Sequence, residues 1–556
     1  MKKITIEKPW LKYYPEEIKK LKVKKSTLNE FIKKTCINED LITIKFYERE
    51  ISFKELFEMA NKVAKSLYAY GFRNGDQIPV FLESVPEFLM ILLGAEQIGA
   101  SIVCRDGSIK EEVEVITKSN AETIFIHDYI DKNKEEAFKK AGVKNFITIS
   151  PTFYAKKIPS YAAKNIKPKQ KYDGIDWLKF LNAGNQVEDF KIHNDYNAPL
   201  LRAYTTGTTG DSKQVIHSAG TIINLLTQMY YVCGISKERT TWLCTALPPS
   251  LIAVVVSMML TSLTSNKILI LDPFVAAEDV DLSFMYYKPN GWPIIPMFVD
   301  VLLNSKRIPE DFDMSFFKMS GAGAEFLNKK AFRKMHTFLR KHNCELMFSP
   351  GYGMSEACSN ALLPVPDTDL NNFGYGIPMP LTTISVFKQG TDEELNYNEF
   401  GEICIHSDSV MLGYDNEEDT NKTILTHSDG KQWLHTGDIG KVDERGHVYI
   451  LNRGYTKHHT GGNLFISVME NKIIDIKGIK DAFFVLVPDK KHKNCHLPYL
   501  YVVLKDNVKL EDVESQIKNS LDKHERPIET FVIDKRPFFH FKTARKLLVK
   551  EIINKK

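Results

Sequence analysis

The sequence predicts an α/β protein built on a layered, mostly parallel sheet, and three observations carry that prediction. Strand-like and helix-like hydrophobic periods alternate in the first half, the pattern turns to short runs broken by Gly and Asp from about 365 to 450, and 556 residues exceed one compact core. Ser52-x-x-Glu55 has the form of a capping box, and Leu56, Ala60, Val63, Ala64 and Leu67 follow at helical spacing until Gly71 stops the helix. Ile78 to Leu82 reads as a strand, and Ser84 with Pro86 opens a second helix running toward Gly99. Such repetition predicts a parallel sheet covered on both faces. Lys267 to Leu271 reads as another buried strand, and Pro296 begins an apolar helix carrying Phe298, Val301, Leu302 and Leu303. The 365 to 450 region predicts a small antiparallel barrel or sheet.

Composition narrows the function. With 43% hydrophobic and 26% charged residues and a net charge of +4, the chain reads as an ordinary globular protein and not as a dedicated nucleic-acid binder. Eight cysteines without Cys-x-x-Cys or Cys/His metal spacing predict reduced thiols in a cytoplasmic protein. Glu7, Lys8 and Pro9 interrupt any apolar leader, so no targeting segment is expected. Leu251 to Leu260 is the most apolar run, far short of the ~20 residues of a bilayer span, and predicts a buried core helix. The first 25 residues hold nine lysines against three glutamates, interleaved with Trp10, Tyr13 and Tyr14. That pattern suits a peripheral membrane contact, and a solvated face is the plainer reading.

The chemistry is concentrated in Ala203-Tyr-Thr-Thr-Gly-Thr-Thr-Gly-Asp-Ser-Lys-Gln-Val215. Gly207 and Gly210 let backbone N–H groups turn toward phosphate oxygens, Thr205, Thr206, Thr208 and Thr209 add donors, and Lys213 supplies a point charge. The spacing differs from the common Gly-x-x-x-x-Gly-Lys-Ser/Thr loop, and a polar turn has the same composition. Further blocks follow: Gly321-Ala-Gly-Ala-Glu325, Gly351-Tyr-Gly-Met-Ser-Glu356, Gly401-Glu402-Ile403 with Gly413-Tyr414, Trp433-Leu-His-Thr-Gly-Asp438, Arg453 with Gly461-Gly462, and Lys542 with Arg545.

In order and spacing these blocks resemble those of the adenylate-forming acyl-activating enzymes: acyl-CoA synthetases, luciferases and stand-alone adenylation domains. The resemblance covers nearly the whole chain. It implies a large N-terminal domain (1–452) of two βα-layered sheets plus a small β-barrel-like subdomain, and a small mobile α+β C-terminal domain (453–556) bearing the catalytic lysine. The boundary is expected in a loop between Asp438 and Gly454, and no carrier-protein domain is expected after Lys542. The resemblance assigns the phosphates to Thr205, Thr206, Gly207, Thr208, Thr209, Gly210 and Lys213. Adenine falls to Gly323, Ala324, Glu325 and Tyr352, the ribose to Asp438 and Arg453, and Mg²⁺ to Glu356. Lys542, Glu356 and Thr206 are the implied catalytic residues, and Gly461 and Gly462 line the thiol's approach. This chain departs from the pattern at Phe541, where the family has Gly, and at the hinge, where Tyr455, Thr456 and Lys457-His458-His459 stand. His458 and His459 invite a metal reading, but neighbours on a strand point to opposite faces and make a poor chelating pair.

The implied reaction is attack of a carboxylate on the α-phosphorus of ATP, expelling pyrophosphate to leave an acyl adenylate, then transfer to a thiol. Two anions must meet, so the site needs cations, N–H donors and a metal shared with the phosphates. The run from Pro9 to Ile18 and Val410-Met-Leu-Gly-Tyr414 resemble fatty-acyl-CoA synthetases, so CoA is the expected acceptor and a hydrophobic acid the expected substrate. Pro249, Ser250, Val254, Met297 and Phe298 are the expected acyl pocket. Ala246 to Leu260 contains no acid to hold a substrate ammonium group, which counts against an amino acid. The alternatives are a stand-alone ligase loading a carrier protein's phosphopantetheine and a non-catalytic nucleotide or acyl binder.

Overall fold

The computed structural model describes residues 3–170, 174–205, 212–233, 238–370, 372–539 and 541–555. Thr206, Gly207, Thr208, Thr209 and Gly210 lie outside the described residues. The first sheet runs, in spatial order, through Gly413–Tyr414, Gln214–Ser218, Pro199–Tyr204, Ser101–Cys104, Gln77–Phe81, Thr123–His127, Asn145–Ile149 and Ile175–Asp176. Its pairings are parallel except at the edge where the phosphate-loop strand and Gly413–Tyr414 run antiparallel. The two helices read from the sequence are Phe53–Ala69 and Pro86–Ile98, the second ending at Gly99 in the left-handed region with φ +76°. They press together at Gly94, where a Cβ would stand 2.8 Å from Val63 Cγ1, so only glycine lets them approach this closely. Ser52 accepts from the Glu55 N–H at 3.2 Å, but the Glu55 carboxylate turns to Arg49, so only half of the expected capping box forms.

The second layer is a sheet of Thr240–Thr245, Lys267–Asp272, Ile42–Phe46 and Arg49–Ser52. Parallel bridges Trp242↔Gly291, Gly291↔Met319 and Ile294↔Ala322 carry it on to Gly321–Ala322, which pairs with Ser349–Pro350. That extension positions the site, because the Gly321 and Gly351 blocks leave adjacent strands at the same end. The apolar run is a buried helix as expected, but Val254–Leu260 is wound as a π-helix before Thr261–Thr264 returns to α. Thr261 Oγ1 donates to the Val256 carbonyl at 2.9 Å and Ser262 Oγ to the Met258 carbonyl at 2.6 Å, absorbing backbone acceptors that the wider turn displaces.

The antiparallel prediction holds for Leu362–Leu363, Gly374–Pro378, Val448–Arg453, Gln432–Val442, Gly401–His406, Thr383–Phe387 and Ile424–Thr426, which form one sheet. Asp438 to Gly454 is not a loop: it is a hairpin of Gln432–Val442 and Val448–Arg453 turning at Asp443 to Gly446. The alternation in Asp438-Ile-Gly-Lys-Val442 was available to read as strand. The amino-terminal aromatics pack inward onto this sheet. Trp10 is 1% exposed, and Tyr14 donates to the Pro378 carbonyl at 2.7 Å, so neither presents an aromatic face to a membrane. Beyond the hairpin, Ile479–Pro488, His496–Leu504 and Thr530–Val532 make a separate small sheet covered by helices Ile466–Ile473, Leu510–Ser520 and Arg545–Lys555. All eight cysteines are free thiols, and among the described residues no helix is long and apolar enough to cross a membrane.

Candidate active site

Glu356 is delivered by a tight turn that its own sequence enforces. Gly353–Met354 pairs with Ser359–Asn360, enclosing a single turn at Ser355–Ala357. A Cβ on Gly353 would lie 1.5 Å from the Ser359 carbonyl oxygen, so no other residue closes this turn. The Tyr414 hydroxyl donates to Glu356 Oε1 at 2.7 Å, and the Met411 N–H donates to the Glu356 carbonyl at 2.8 Å. Beneath it, His217 reaches from the phosphate-loop strand to the Ser355 carbonyl with Nε2 at 2.8 Å, while its Nδ1 meets Thr221 Oγ1 at 3.0 Å. Burial pushes the His217 pKa down to about 4, so the ring is neutral and structural. Sequence reading missed His217 and underused Tyr414, although both sit in the quoted blocks or directly beside them.

The wall expected to hold the ribose is set by strand register. Asp438 faces Arg453 across the hairpin, and Arg453 Nη1 lies 3.3 Å from Asp438 Oδ1. The buried Tyr352 donates its hydroxyl to Asp438 Oδ2 at 2.8 Å. Burial raises the Asp438 carboxyl pKa, with Arg453 opposing the shift, and burial followed by the Asp438 charge holds the Tyr352 phenol well above its ordinary range. Tyr352 and Asp438 therefore form one unit: the aromatic assigned to adenine also orients the acid assigned to ribose.

The described residues at the base of the candidate phosphate loop are tied together. The Thr205 N–H donates to the Lys213 carbonyl at 2.9 Å, the Lys213 N–H returns to Thr205 Oγ1 at 3.0 Å, and Ser212 Oγ donates to the Thr205 carbonyl at 2.5 Å. Lys213 Nζ reaches Asp419 at 2.9 Å and lies 4.8 Å from the centroid of the Tyr414 ring. One tyrosine thus touches both the loop lysine and the metal-candidate glutamate.

Lys542 enters from the C-terminal segment on a two-residue strand, Lys542–Thr543, paired with Phe538–Phe539. Phe541, standing where the resembled family has Gly, adopts φ +62°, keeping the left-handed turn that glycine would supply without strain. Burial depresses the Lys542 pKa, against the raising pull of Glu325, Glu356 and Asp438. The lysine therefore shares its electrostatic surroundings with the ribose and metal candidates. Glu325 behaves differently from a purely adenine-facing residue. Its carboxylate accepts from the Thr543 N–H at 3.0 Å and from Arg545 Nη1 at 2.5 Å, and Arg545 also donates to the buried Glu470 at 2.9 Å. Gly323 and Ala324 leave only backbone on that edge, Ala324 in the left-handed region at φ +71°.

Among the acyl-pocket candidates, Val254 lies in the π-helix, and Phe298 is fully buried and stacked on Trp292 at 5.8 Å. Pro249 is buried, and Ser250 and Met297 keep partial exposure. Gly461 and Gly462 have φ of +87° and +91°, and a Cβ on Gly462 would meet the His524 ring at 2.6 Å. His458 and His459 do not make a chelating pair: His458 Nδ1 is held by Thr460 Oγ1 at 2.7 Å.

The chain belongs to the AMP-binding enzyme family, whose profile matches residues 29–415. It is similar to the 2-succinylbenzoate–CoA ligase of Oceanobacillus iheyensis, 23% identical over 91% of this chain and 95% of the relative. It is also similar to the 4-coumarate–CoA ligase of Vanilla planifolia, 27% identical over 86% of this chain and 84% of the relative. The fold matches O-succinylbenzoate Coenzyme A Synthetase from Bacillus subtilis in complex with ATP and magnesium ion, with a TM-score of 0.74, 20% identity, and coverage of 95% of this chain and 99% of that one. The protein is an acid–thiol ligase that uses ATP to activate a carboxylic acid through an acyl adenylate.

Proposed function

We propose that this ligase activates an uncharged hydrophobic acid, fatty or aryl, and passes it to CoA in a cytoplasmic compartment. The observation that carries the reading is the geometry around Asp438, which Tyr352 reaches at 2.8 Å and Arg453 at 3.3 Å, with the half-buried Lys542 within electrostatic reach of Glu325, Glu356 and Asp438; such a set suits a site where a carboxylate meets the ATP α-phosphorus. Asp438 would accept the ribose hydroxyls, with Tyr352 fixing its orientation and providing a face for adenine. Residues Thr205 to Gly210, with Lys213, would hold the phosphates; Lys213 would exchange Asp419 for phosphate oxygens. Lys542 would neutralise charge on the substrate carboxylate and the bridging oxygen as the adenylate forms.

The donor set fits Mg²⁺. Glu356 offers a carboxylate of which Tyr414 orients one oxygen, and a hard cation takes one or two such ligands together with phosphate oxygens and water. Bound there, Mg²⁺ would supply charge stabilisation at the phosphates. We place the division between the large and small domains at 452/453, with the small domain swinging so that Gly461 and Gly462 line the thiol's path in the second half-reaction.

Support for a hydrophobic substrate comes from the acid-free run Ala246 to Leu260, with Val254 to Leu260 buried, and from the half-buried Met297. Each buried methylene adds ~0.8 kcal/mol, so preference should climb with chain length until the slot is filled. The test is carboxylate-dependent ATP–pyrophosphate exchange over a panel of fatty, aryl and amino acids, repeated with CoA. A free amino acid such as alanine giving a kcat/KM above every fatty or aryl acid would overturn the substrate class. Thioester formed on a phosphopantetheine carrier but not on CoA would establish the alternative acceptor.

A further inference from the structure

Two segments far apart in sequence meet on the small C-terminal sheet, the loop 457–463 and the turn 489–495. The turn joins strands Ile479–Pro488 and His496–Leu504 and is closed by the Asp489 N–H donating to the Cys495 carbonyl at 2.8 Å. The loop folds back on itself through the His458 N–H to the Gly462 carbonyl at 3.1 Å and the Gly461 N–H to the His458 carbonyl at 3.0 Å. Main-chain contacts lock the two together: the His496 N–H donates to the Lys457 carbonyl at 2.9 Å, and Lys457 bridges Cys495. The side chains that these contacts bring face to face are His459 from the loop and Asp489 and His492 from the turn.

Their geometry is that of a ligand set. One ligand atom from each lies within 4.8 Å of the others. Asp489 Oδ2 is 2.8 Å from His492 Nδ1 and 3.5 Å from His459 Nδ1, and the two imidazoles stack at 4.5 Å with their planes 12° apart. Bonds of 2.0–2.1 Å to a tetrahedral ion put neighbouring ligand atoms about 3.3 Å apart, so the observed separations bracket what one ion requires. Asp489 is already oriented: its Oδ1 accepts from the Lys491 N–H at 2.8 Å, which leaves Oδ2 to the imidazoles. Both histidines are exposed, so solvent ions reach the site.

We infer that His459, Asp489 and His492 form a binding site for a divalent transition-metal ion of the Zn²⁺ class, clipping the loop that carries Gly461 and Gly462 to the 489–495 turn. Two imidazoles and one carboxylate suit an ion of borderline softness, with a fourth position left to water. A hard cation is disfavoured. Mg²⁺ and Ca²⁺ draw on several oxygens, whereas this turn offers one carboxylate among Lys490, Lys491 and Lys493, whose charges an ion must overcome by covalent-like nitrogen ligation. A second grouping, Glu402, Cys404 and His435, is buried and its polar atoms are spoken for. There His435 contacts Glu402 through Nδ1 at 3.0 Å and His427 through Nε2 at 2.9 Å, and the Gly437 N–H donates to Glu402 at 3.0 Å. The exposed set is therefore the site, and the buried one is its internal control.

The test uses the full chain, stripped of metal and titrated with Zn²⁺ against a chromophoric chelator. One equivalent should bind at pH 7.5. His459→Ala and His492→Ala should each weaken binding by more than the roughly 10–100-fold that follows loss of a ligand's outer partner, while His458→Ala keeps the parental affinity. Co²⁺ loaded into the unmodified chain provides a second readout that needs no variant: visible bands of a four-coordinate nitrogen and oxygen site support the assignment. Absence of a bound equivalent, unchanged affinity in the His459→Ala/His492→Ala double variant, or a thiolate-to-cobalt band pointing to Cys404 would each overturn it.

Discussion

The wall proposed for the ribose and the arm that bears Lys542 are held in place by opposite devices. Asp438 and Arg453 face each other across a hydrogen-bonded hairpin, and Tyr352 joins them from a neighbouring turn, so the wall is fixed by backbone register within one sheet. Lys542 arrives on a short strand whose ties to the body run through Glu325 with Arg545 and Thr543, Arg333 with Asp475, and Lys330 with the Ile474 and Ile479 carbonyls. Side-chain ties such as the exposed pair of Arg333 with Asp475 exchange with water more readily than a sheet register does. On the proposed roles, the contrast makes nucleotide recognition preorganised and leaves the catalytic cation to be delivered by docking.

The largest effect should come from removing the delivered charge. Lys542→Ala should lower adenylation by ~10²- to 10³-fold or more, the scale of one preorganised transition-state donor, while synthetic acyl adenylate is still converted to thioester. Measuring the two half-reactions separately decides it; equal damage to both would erase the distinction between wall and arm. Glu356→Gln should strike the proposed metal ligand, so turnover collapses by about 10²-fold at ordinary Mg²⁺ while AMP binds nearly as in the parent. Calorimetry with AMP beside steady-state rates would show it, and near-parent turnover would move the metal ligand elsewhere.

A smaller effect should follow from loosening the dock without touching the chemistry. In Glu325→Gln the amide still accepts from the Thr543 N–H, but the charge opposite Arg545 is lost. One weakened charge-assisted hydrogen bond, worth ~1.5 kcal/mol, corresponds to about tenfold in the adenylation step alone. A matching loss in AMP affinity would instead mean that Glu325 serves the nucleotide directly.

What the sequence discloses and what it hides divide along the same line. Phe53–Ala69, Pro86–Ile98 and the antiparallel sheet were legible because hydrophobic period and terminating Gly or Pro are local signals. The blocks around Thr205, Glu356, Asp438 and Lys542 made the family legible because their residue types and order resemble its pattern. The π-helix at Val254–Leu260 was not, since three valines and two methionines satisfy a helical period whichever way the turn is wound. Nor was the bond from Arg545 to Glu325, across more than two hundred positions, or the meeting of His459 with Asp489 and His492. There the strand rule excluded the adjacent pair His458–His459 and gave no cue to partners thirty residues on.

The subtlest prediction concerns pH and separates arm from wall by sign. Burial lowers the Lys542 pKa below the ordinary 10.5, while an undocked arm, returned to water, regains the ordinary value. Between the two values the undocked form binds more protons, so docking strengthens as pH rises through the lowered pKa. On the proposed role, however, the reactive species is the charged lysine, and that species is lost over the same interval. Closure and adenylation should therefore move in opposite directions at high pH: a distance reporter between the body and the C-terminal segment shows more closed protein while single-turnover adenylation falls. Lys542→Arg, slow as it will be, keeps its charge throughout and should lose both trends. If the adenylation limb persists in that variant, or appears equally in thioester formation, the titrating group is not on the arm and the assignment of its charge to the transition state fails.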